Sequence, residues 1–429
     1  MEKMQVCISK YNGKTSVLFN VIFIVNYLYK FIFIRCRKAV IYEPANFGAR
    51  MKIAIDIRNL VNNNSKDHGY FLSEVLKRIS DISPGEEFFL IADRKYEPRF
   101  PVGENVHVIT AGPVASSPLL LKLWYEIRLP RLLKKIHADL LVTGTGICSL
   151  STDIPQCMII DDLSFLCYPS YNRAEHFFLK RHMKKYVQKA AVVIALSDFL
   201  SDELVMRYAV EREKIFVVPG AAHNFPLLTE IEKDEVRLRY TGGKNYFLFT
   251  GEIDQRQNII NLLKAFSVFK KRQKSDWKLV IAGRISPRFK SFKENIRSYK
   301  YRDELVVLDA LFGGESAKMT AAAWATVYPA NCMGSVYDVF DSWHQGVPVI
   351  TAANSEIAGL AKDAVMVFDP ADHKDIADKM MYLYKDEALR SKLADQGKAA
   401  LEAYSWDKSA SLFWEAIMQT RNRDILLSR

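Results

Sequence analysis

This chain is built on short runs that are apolar along their whole length rather than at alternate positions, each followed by a helical pattern. A strand of that kind is buried on both faces, as in a mainly parallel sheet covered by helices. The clearest unit spans residues 325–350. Residues 325–328 read as a strand, and a turn with Gly334 and Ser335 follows. Val336, Val339, Phe340 and Trp343 then fall on one helical face. Gly346 stops that helix, and Pro348 opens another strand. Strand, glycine turn and helix is the unit with which α/β sheets hold ligands at the carboxyl ends of their strands.

From Met51 onward the unit recurs. Strand-like runs fall at 51–57, 87–92, 106–109, 138–142, 156–160, 191–195 and 215–218. A polar stretch at 226–244 interrupts them. Six more runs follow, at 246–250, 278–282, 305–308, 325–328, 348–351 and 364–368. Helical patterns lie between them, including 70–79, 118–135 with a break at Pro130, 175–188 and 257–272. The expected fold is α/β, with two Rossmann-like domains facing a cleft. The expected boundaries are 51–225 and 226–405, with a closing helix in 406–429 that returns to the first domain.

Hydrophobic content of 49% and charged content of 25% fit a globular body large enough for two cores. Of the formal charge of +11, residues 1–50 carry a large share: eight lysines and arginines against Glu2 and Glu43. No aromatic-interleaved basic run or zinc-finger spacing occurs, so nucleic acid is not an expected partner. The six cysteines have neither metal nor disulfide-framework spacing, so a reducing, cytoplasmic setting and no bound metal are expected. Residues 16–34 are strongly apolar and close to membrane-spanning length. Two readings of residues 1–50 stand side by side: a membrane-associating segment, or an upstream extension ahead of a start at Met51. No G-x-G-x-x-G follows either domain's first strand, which sets aside a dinucleotide-dependent oxidoreductase.

A series of segments, in order, resembles the glycosyltransferase family 4 (group 1) pattern. They are Asp161 to Pro169, Ala195 to Ser201, Val217 to Gly220, Phe249 to Ile259, Leu279 to Gly283, Pro329 to Pro348, and Asp369-Pro370. The resemblance implies the two-domain GT-B architecture and transfer of a sugar from a nucleotide-sugar, without bound metal, to a glycan or lipid-linked acceptor. It further implies a place in cell-surface polysaccharide synthesis, at the cytoplasmic face of a membrane.

Carried over position by position, the resemblance assigns Gly251 to close backbone approach. Arg256, with the start of a helix at Gln257, goes to the donor diphosphate. The turn Met333-Gly334-Ser335 goes to the sugar and Asp341 to the ribose. Asp161 and Asp162 face the acceptor as the catalytic pair, and Gly69 and Tyr70 form the glycine loop. The pattern also departs from the family. Met333 and Asp341 stand where two glutamates are expected, Gln257 replaces a lysine, Asp161 a histidine and Gly359 a glutamate. Packing positions are kept while donor-contacting ones differ. Two expectations follow: an active transferase with an altered site, or a catalytically silent relative acting as a binding partner in glycan assembly.

Overall fold

The computed structural model describes residues 50–61, 69–98, 100, 103–166, 173–287, 289–309, 314–330, 336–360 and 363–427. The expectations for residues 1–49, including the apolar 16–34 segment, lie outside these, as do those for Met333, Gly334 and Ser335. No helix among the described residues is long and apolar enough to cross a membrane.

Two sheets organise residues 50–427. The first has seven strands: β1 (Lys52–Asp56), β2 (Glu87–Ala92), β3 (Val106–Thr110), β4 (Leu140–Thr143), β5 (Gln156–Ile160), β6 (Val192–Ala195) and β7 (Ile215–Val217). The second has six: β8 (Tyr246–Thr250), β9 (Lys278–Ala282), β10 (Leu305–Leu308), β11 (Ala325–Tyr328), β12 (Val349–Ala352) and β13 (Val365–Phe368). The orders are β3-β2-β1-β4-β5-β6-β7 and β10-β9-β8-β11-β12-β13. Neighbours pair in parallel, for example Ile53 with Leu140 and Phe247 with Leu279. The apolar runs are explained by burial: β4, β5, β6, β8, β11 and β12 are buried at every residue.

Strand order reverses between β1 and β4 in the first sheet, and between β8 and β11 in the second. Loops leave in opposite directions at such points and open a crevice beyond the carboxyl ends. In the first sheet Asp56 and Gly144 flank that crevice, and in the second Gly251 and Pro329 do.

Three local readings are corrected by the structure. The 118–135 pattern is not broken at Pro130. Helix Pro118–Leu123 widens into a π turn, Trp124–Arg128, and resumes as Leu129–Ile136. The wide turn precedes the proline that cannot donate to the helix ladder. The polar stretch 226–244 contains helix Glu230–Thr241, started by a capping box between Thr229 and Glu232. The helix expected from Gln257 begins only at Ile259, because Asn258 turns left-handed at φ 53°.

The last helix, Trp406–Leu427, packs along helix Tyr70–Ile82 and the strands β4 to β6 of the first domain. Arg78 Nε meets Asp407 Oδ1 at 2.6 Å, and Ser409 Oγ donates to the carbonyl of Pro219 at 2.5 Å. The chain therefore crosses between the domains twice, near Gly220 and near Trp406. A Cβ at Gly220 would lie 2.6 Å from Tyr337 and 3.2 Å from Trp406, so the crossings are packed together.

Candidate functional site

The site grows from the turns after β8 and β9. Gly251 and Gly283 have φ of 130° and 150°, conformations that side chains rarely tolerate. A Cβ on Gly283 would fall 1.7 Å from the carbonyl oxygen of Gly251, so the two turns meet backbone to backbone. Past Gly251 the buried Asp254 caps a 3₁₀ turn, Gln255–Gln257, accepting the Arg256 N–H at 2.7 Å. Asn258 then donates its amide to the carbonyls of Pro329 (3.1 Å) and Pro370 (2.9 Å). This fixes the β8 turn against the turns after β11 and β13. Gln257 sits in the 3₁₀ turn, not in the first turn of helix Ile259–Gln273.

Arg256 is half-buried and its fork is divided among three groups. Nε binds Asp254 Oδ2 at 2.6 Å and Nη2 binds Glu252 Oε2 at 3.0 Å, both within its own turn. Nη1 reaches across to the first domain, donating to Ser164 Oγ at 3.0 Å, with Asp162 Oδ2 at 3.9 Å. Asp162 is itself held by the loop after β5. It accepts the Ser164 N–H at 2.5 Å and the Ser164 hydroxyl at 2.7 Å. This is an Asx-type turn, which shapes the loop beside Asp161. Arg284, in the turn after β9, lies 3.3 Å from Glu252 Oε1.

A second tie joins the domains nearby, and it was not legible in the sequence. Glu356 opens the short helix after β12 and is 4% exposed. Ser197 of the first domain donates its hydroxyl to Glu356 Oε1 at 2.5 Å, while its oxygen also caps helix Asp198–Tyr208. Burial pushes the Glu356 carboxyl up to about 7; the Ser197 hydroxyl pulls the other way, and Asp162 and Asp161 add to the rise. A glutamate after a serine reads from sequence as an ordinary first-turn acid; only the facing domain buries it. Gly359, three residues on, has open space around its Cβ position.

Asp341 lies in helix Val336–His344 and is 9% exposed. Its Oδ1 accepts the backbone N–H of His223 at 2.9 Å and its Oδ2 pairs with His223 Nδ1 at 2.8 Å. His223 belongs to the linker after β7. The end of that helix and the turn after it pin the linker twice more, through His344 Nε2 with the Phe225 carbonyl (2.8 Å) and Gln345 Nε2 with the Pro226 carbonyl (3.2 Å). In this conformation Asp341, expected at the ribose, holds the linker. Tyr70, expected in the glycine loop, packs 4.2 Å from the His223 ring and edge-on to Tyr337 and Trp406. Burial, with Glu74 and Asp341, raises its hydroxyl above the usual tyrosine range. Gly69 precedes it at φ 96°. Asp338 approaches Gly251: a Cβ there would stand 3.7 Å from Asp338 Oδ2.

At the first sheet's switch point, Arg58 Nε binds the buried Asp56 at 3.1 Å, and the Tyr125 hydroxyl donates to Asp56 Oδ2 at 2.6 Å. Tyr125 comes from the π turn, which turns its ring toward the strand ends.

These arrangements define two Rossmann-like domains whose strand-end loops meet in a polar cleft, the GT-B architecture. The family model for glycosyltransferase family 4 matches residues 85–222, and that for glycosyl transferases group 1 matches residues 230–400. The chain belongs to this family. It is similar to the O-antigen chain mannosyltransferase B of Escherichia coli, 20% identical over 257 residues, which are 57% of this chain and 65% of that protein. Its fold is similar to WaaG, a glycosyltransferase involved in lipopolysaccharide biosynthesis. There the TM-score is 0.67 and identity 13%, with 85% of this chain and 99% of WaaG covered. It is also similar to Anabaena HepE in complex with UDP-glucose, with TM-score 0.63, 14% identity, and 85% and 99% covered.

Proposed function

We propose that this protein transfers a sugar from a nucleotide-sugar to a glycan or lipid-linked acceptor during cell-surface polysaccharide synthesis. The observation that carries the reading is Arg256. It stands at the carboxyl end of β8, on the switch point of the second sheet, with one edge of its guanidinium turned to the opposite domain. A diphosphate leaving group needs such a cation and close backbone approach as the glycosidic bond breaks. Arg256 supplies the first and the side-chain-free turn at Gly251 the second. Met333-Gly334-Ser335 faces the sugar in this reading. Asp161 and Asp162 face the acceptor hydroxyl from the first domain. Asp341 acts through His223 and the linker. The mannosyltransferase relative and the neighbour solved with UDP-glucose support this substrate class.

The test is a thermal-shift screen of nucleotide-sugars on the full chain, followed by calorimetry with the best of them. Ligand that binds the native state raises the melting temperature. Arg256→Ala should abolish that rise in a chain that still folds by circular dichroism, though it melts lower because the buried Asp254 loses its cation. Unchanged nucleotide affinity in the variant would refute the assignment. Stabilisation by no nucleotide-sugar would favour a silent member that binds a partner protein.

We infer further that one surface of the first domain faces an anionic membrane. Segments 118–136 and 173–189 hold eleven lysines and arginines against Glu126 and Glu175. They adjoin through their helices and present Leu119 (69% exposed), Leu123, Ile127 and Phe177 (65% exposed) among those charges. Apolar side chains ringed by cations suit a lipid interface. Leu119→Glu with Phe177→Glu should reduce cosedimentation of the full chain with phosphatidylglycerol vesicles. Undiminished binding would refute the surface.

A further inference from the structure

The Arg256 fork is divided unevenly, and the division carries a consequence for donor binding. Its Nε and Nη2 edges are held by Asp254 and Glu252, carboxylates of the same turn, at 2.6 and 3.0 Å. Asp254 is fully buried and also caps that turn, so this half is built into the second domain. The Nη1 edge is held differently. Its partners are a neutral hydroxyl, Ser164 Oγ at 3.0 Å, and a carboxylate oxygen at 3.9 Å, Asp162 Oδ2, both from the other domain. Those two oxygens are 2.7 Å apart and hydrogen-bonded to each other. Together they offer Nη1 an oxygen pair of the kind that a phosphate would offer.

We propose that Ser164 and Asp162 are an internal stand-in for the donor diphosphate, and that donor binding exchanges them for phosphate oxygens on Nη1 while Asp254 and Glu252 keep the rest of the fork in place. This rests on the reading of Arg256 as the diphosphate ligand and adds what controls it. The exchange is favourable in direction, because an anionic phosphate oxygen is a stronger acceptor for guanidinium than a hydroxyl. It also has a cost, because the contact with the first domain must be given up first. Loss of the Arg256–Ser164 hydrogen bond, and the Asp162 charge left beside the phosphate, both act against the donor in the wild-type protein. Ser164 and Asp162 therefore set donor affinity from the domain that does not bind the donor, and nucleotide arrival releases one of the ties between the domains.

The experiment is calorimetric titration of UDP and of GDP into the full-length wild type, Ser164→Ala, Asp162→Asn, Arg256→Ala and the double variant Ser164→Ala/Arg256→Ala. Ser164→Ala keeps the Asp162 cap on the residue 164 N–H, so the loop retains its turn. Each of the first two variants should bind the nucleotide about three- to tenfold more tightly. Arg256→Ala should lose binding, and Ser164→Ala should bring no gain in that background. Equal or weaker affinity in both Ser164→Ala and Asp162→Asn, with Arg256→Ala still inactive in binding, would overturn the stand-in and leave Arg256 as the ligand. A gain from Ser164→Ala that persists without Arg256 would also overturn it. Undiminished binding by Arg256→Ala, or no binding by any of the proteins, would overturn both.

Discussion

Replacing Glu356 by glutamine tests the buried interdomain contact by its pH dependence. The carboxyl is 4% exposed and ionises near 7 in the fold, against 4.5 for an ordinary glutamate. A carboxyl whose folded value is raised binds its proton more tightly when folded. Its contribution is therefore intact below about pH 4.5 and is lost as pH rises through about 7. With each pKa unit worth about 1.4 kcal/mol, the ionised form costs the fold about 3 kcal/mol at high pH, most of which accrues between pH 5 and pH 8. Glutamine keeps an oxygen for the Ser197 hydroxyl but has no charge to desolvate. Glu356→Gln should match the wild type at pH 5 and melt higher at pH 8, by about 5–10 °C for a domain of this size. The assay is scanning calorimetry of both proteins from pH 5 to pH 8. Parallel melting-temperature curves would refute the claim that burial between the domains raises the Glu356 carboxyl above the ordinary glutamate range.

Two further outcomes concern the framework. Gly283→Ala forces a Cβ to within 1.7 Å of a backbone oxygen that cannot rotate away, at φ 150°. It should cost about 3 kcal/mol or more and lower the melting temperature of the second domain, which circular dichroism would show; an unchanged melting temperature would rule out the backbone-to-backbone contact. Burial pushes the Cys148 and Cys157 thiols up to about 12. Both should resist iodoacetamide at pH 8 in the folded chain and react once guanidinium unfolds it, as peptide mass mapping would reveal; rapid labelling of either in the native protein would contradict its burial.

The strands were legible because of where they lie. β8 and β11 sit in the middle of a sheet covered on both faces, so Tyr246–Thr250 and Ala325–Tyr328 had to be apolar throughout. Helix Glu230–Thr241 was missed for the converse reason. Only Val236 and Thr241 are buried, while Ile231 and Leu238 face outward, so no apolar stripe marks it. Its one signal was the pair Thr229 and Glu232, spaced as a capping box. The start of helix Ile259–Gln273 was misplaced because an asparagine that can turn left-handed looks like any polar residue of a first turn. Within the cleft, the position of Arg256 could be read from its neighbours in sequence, Gly251 and Asn258. Its partner across the cleft could not, since Ser164 lies 92 residues away on the other domain. The same holds for His223 and Asp341, 118 residues apart. Periodicity reports what an element buries within its own domain, and these contacts are made between domains.

The charges of the cleft explain why altered signature residues do not by themselves exclude an anionic ligand. Among the described residues, six carboxylates lie about it: Asp161, Asp162, Glu252, Asp254, Asp338 and Glu356. Two arginines, Arg256 and Arg284, oppose them. A simple count would make the cleft repel a diphosphate. The count misleads because the carboxylates are not equivalent. Asp254 and Glu252 are paired with the Arg256 fork and belong to its scaffold. Glu356, raised to about 7 by its burial, carries only about half a charge at pH 7. Apart from Asp338 beside Gly251, the charge that a donor would meet is thus that of the Asp161–Asp162 loop of the first domain. A carboxylate on that side repels the leaving diphosphate but suits an acceptor hydroxyl. In the proposed function, the loop that would discourage the donor is then also the one that would receive the acceptor. Moving it relative to Arg256 would change both interactions together, so in that function the relative position of the two domains would be a controlling variable of the site.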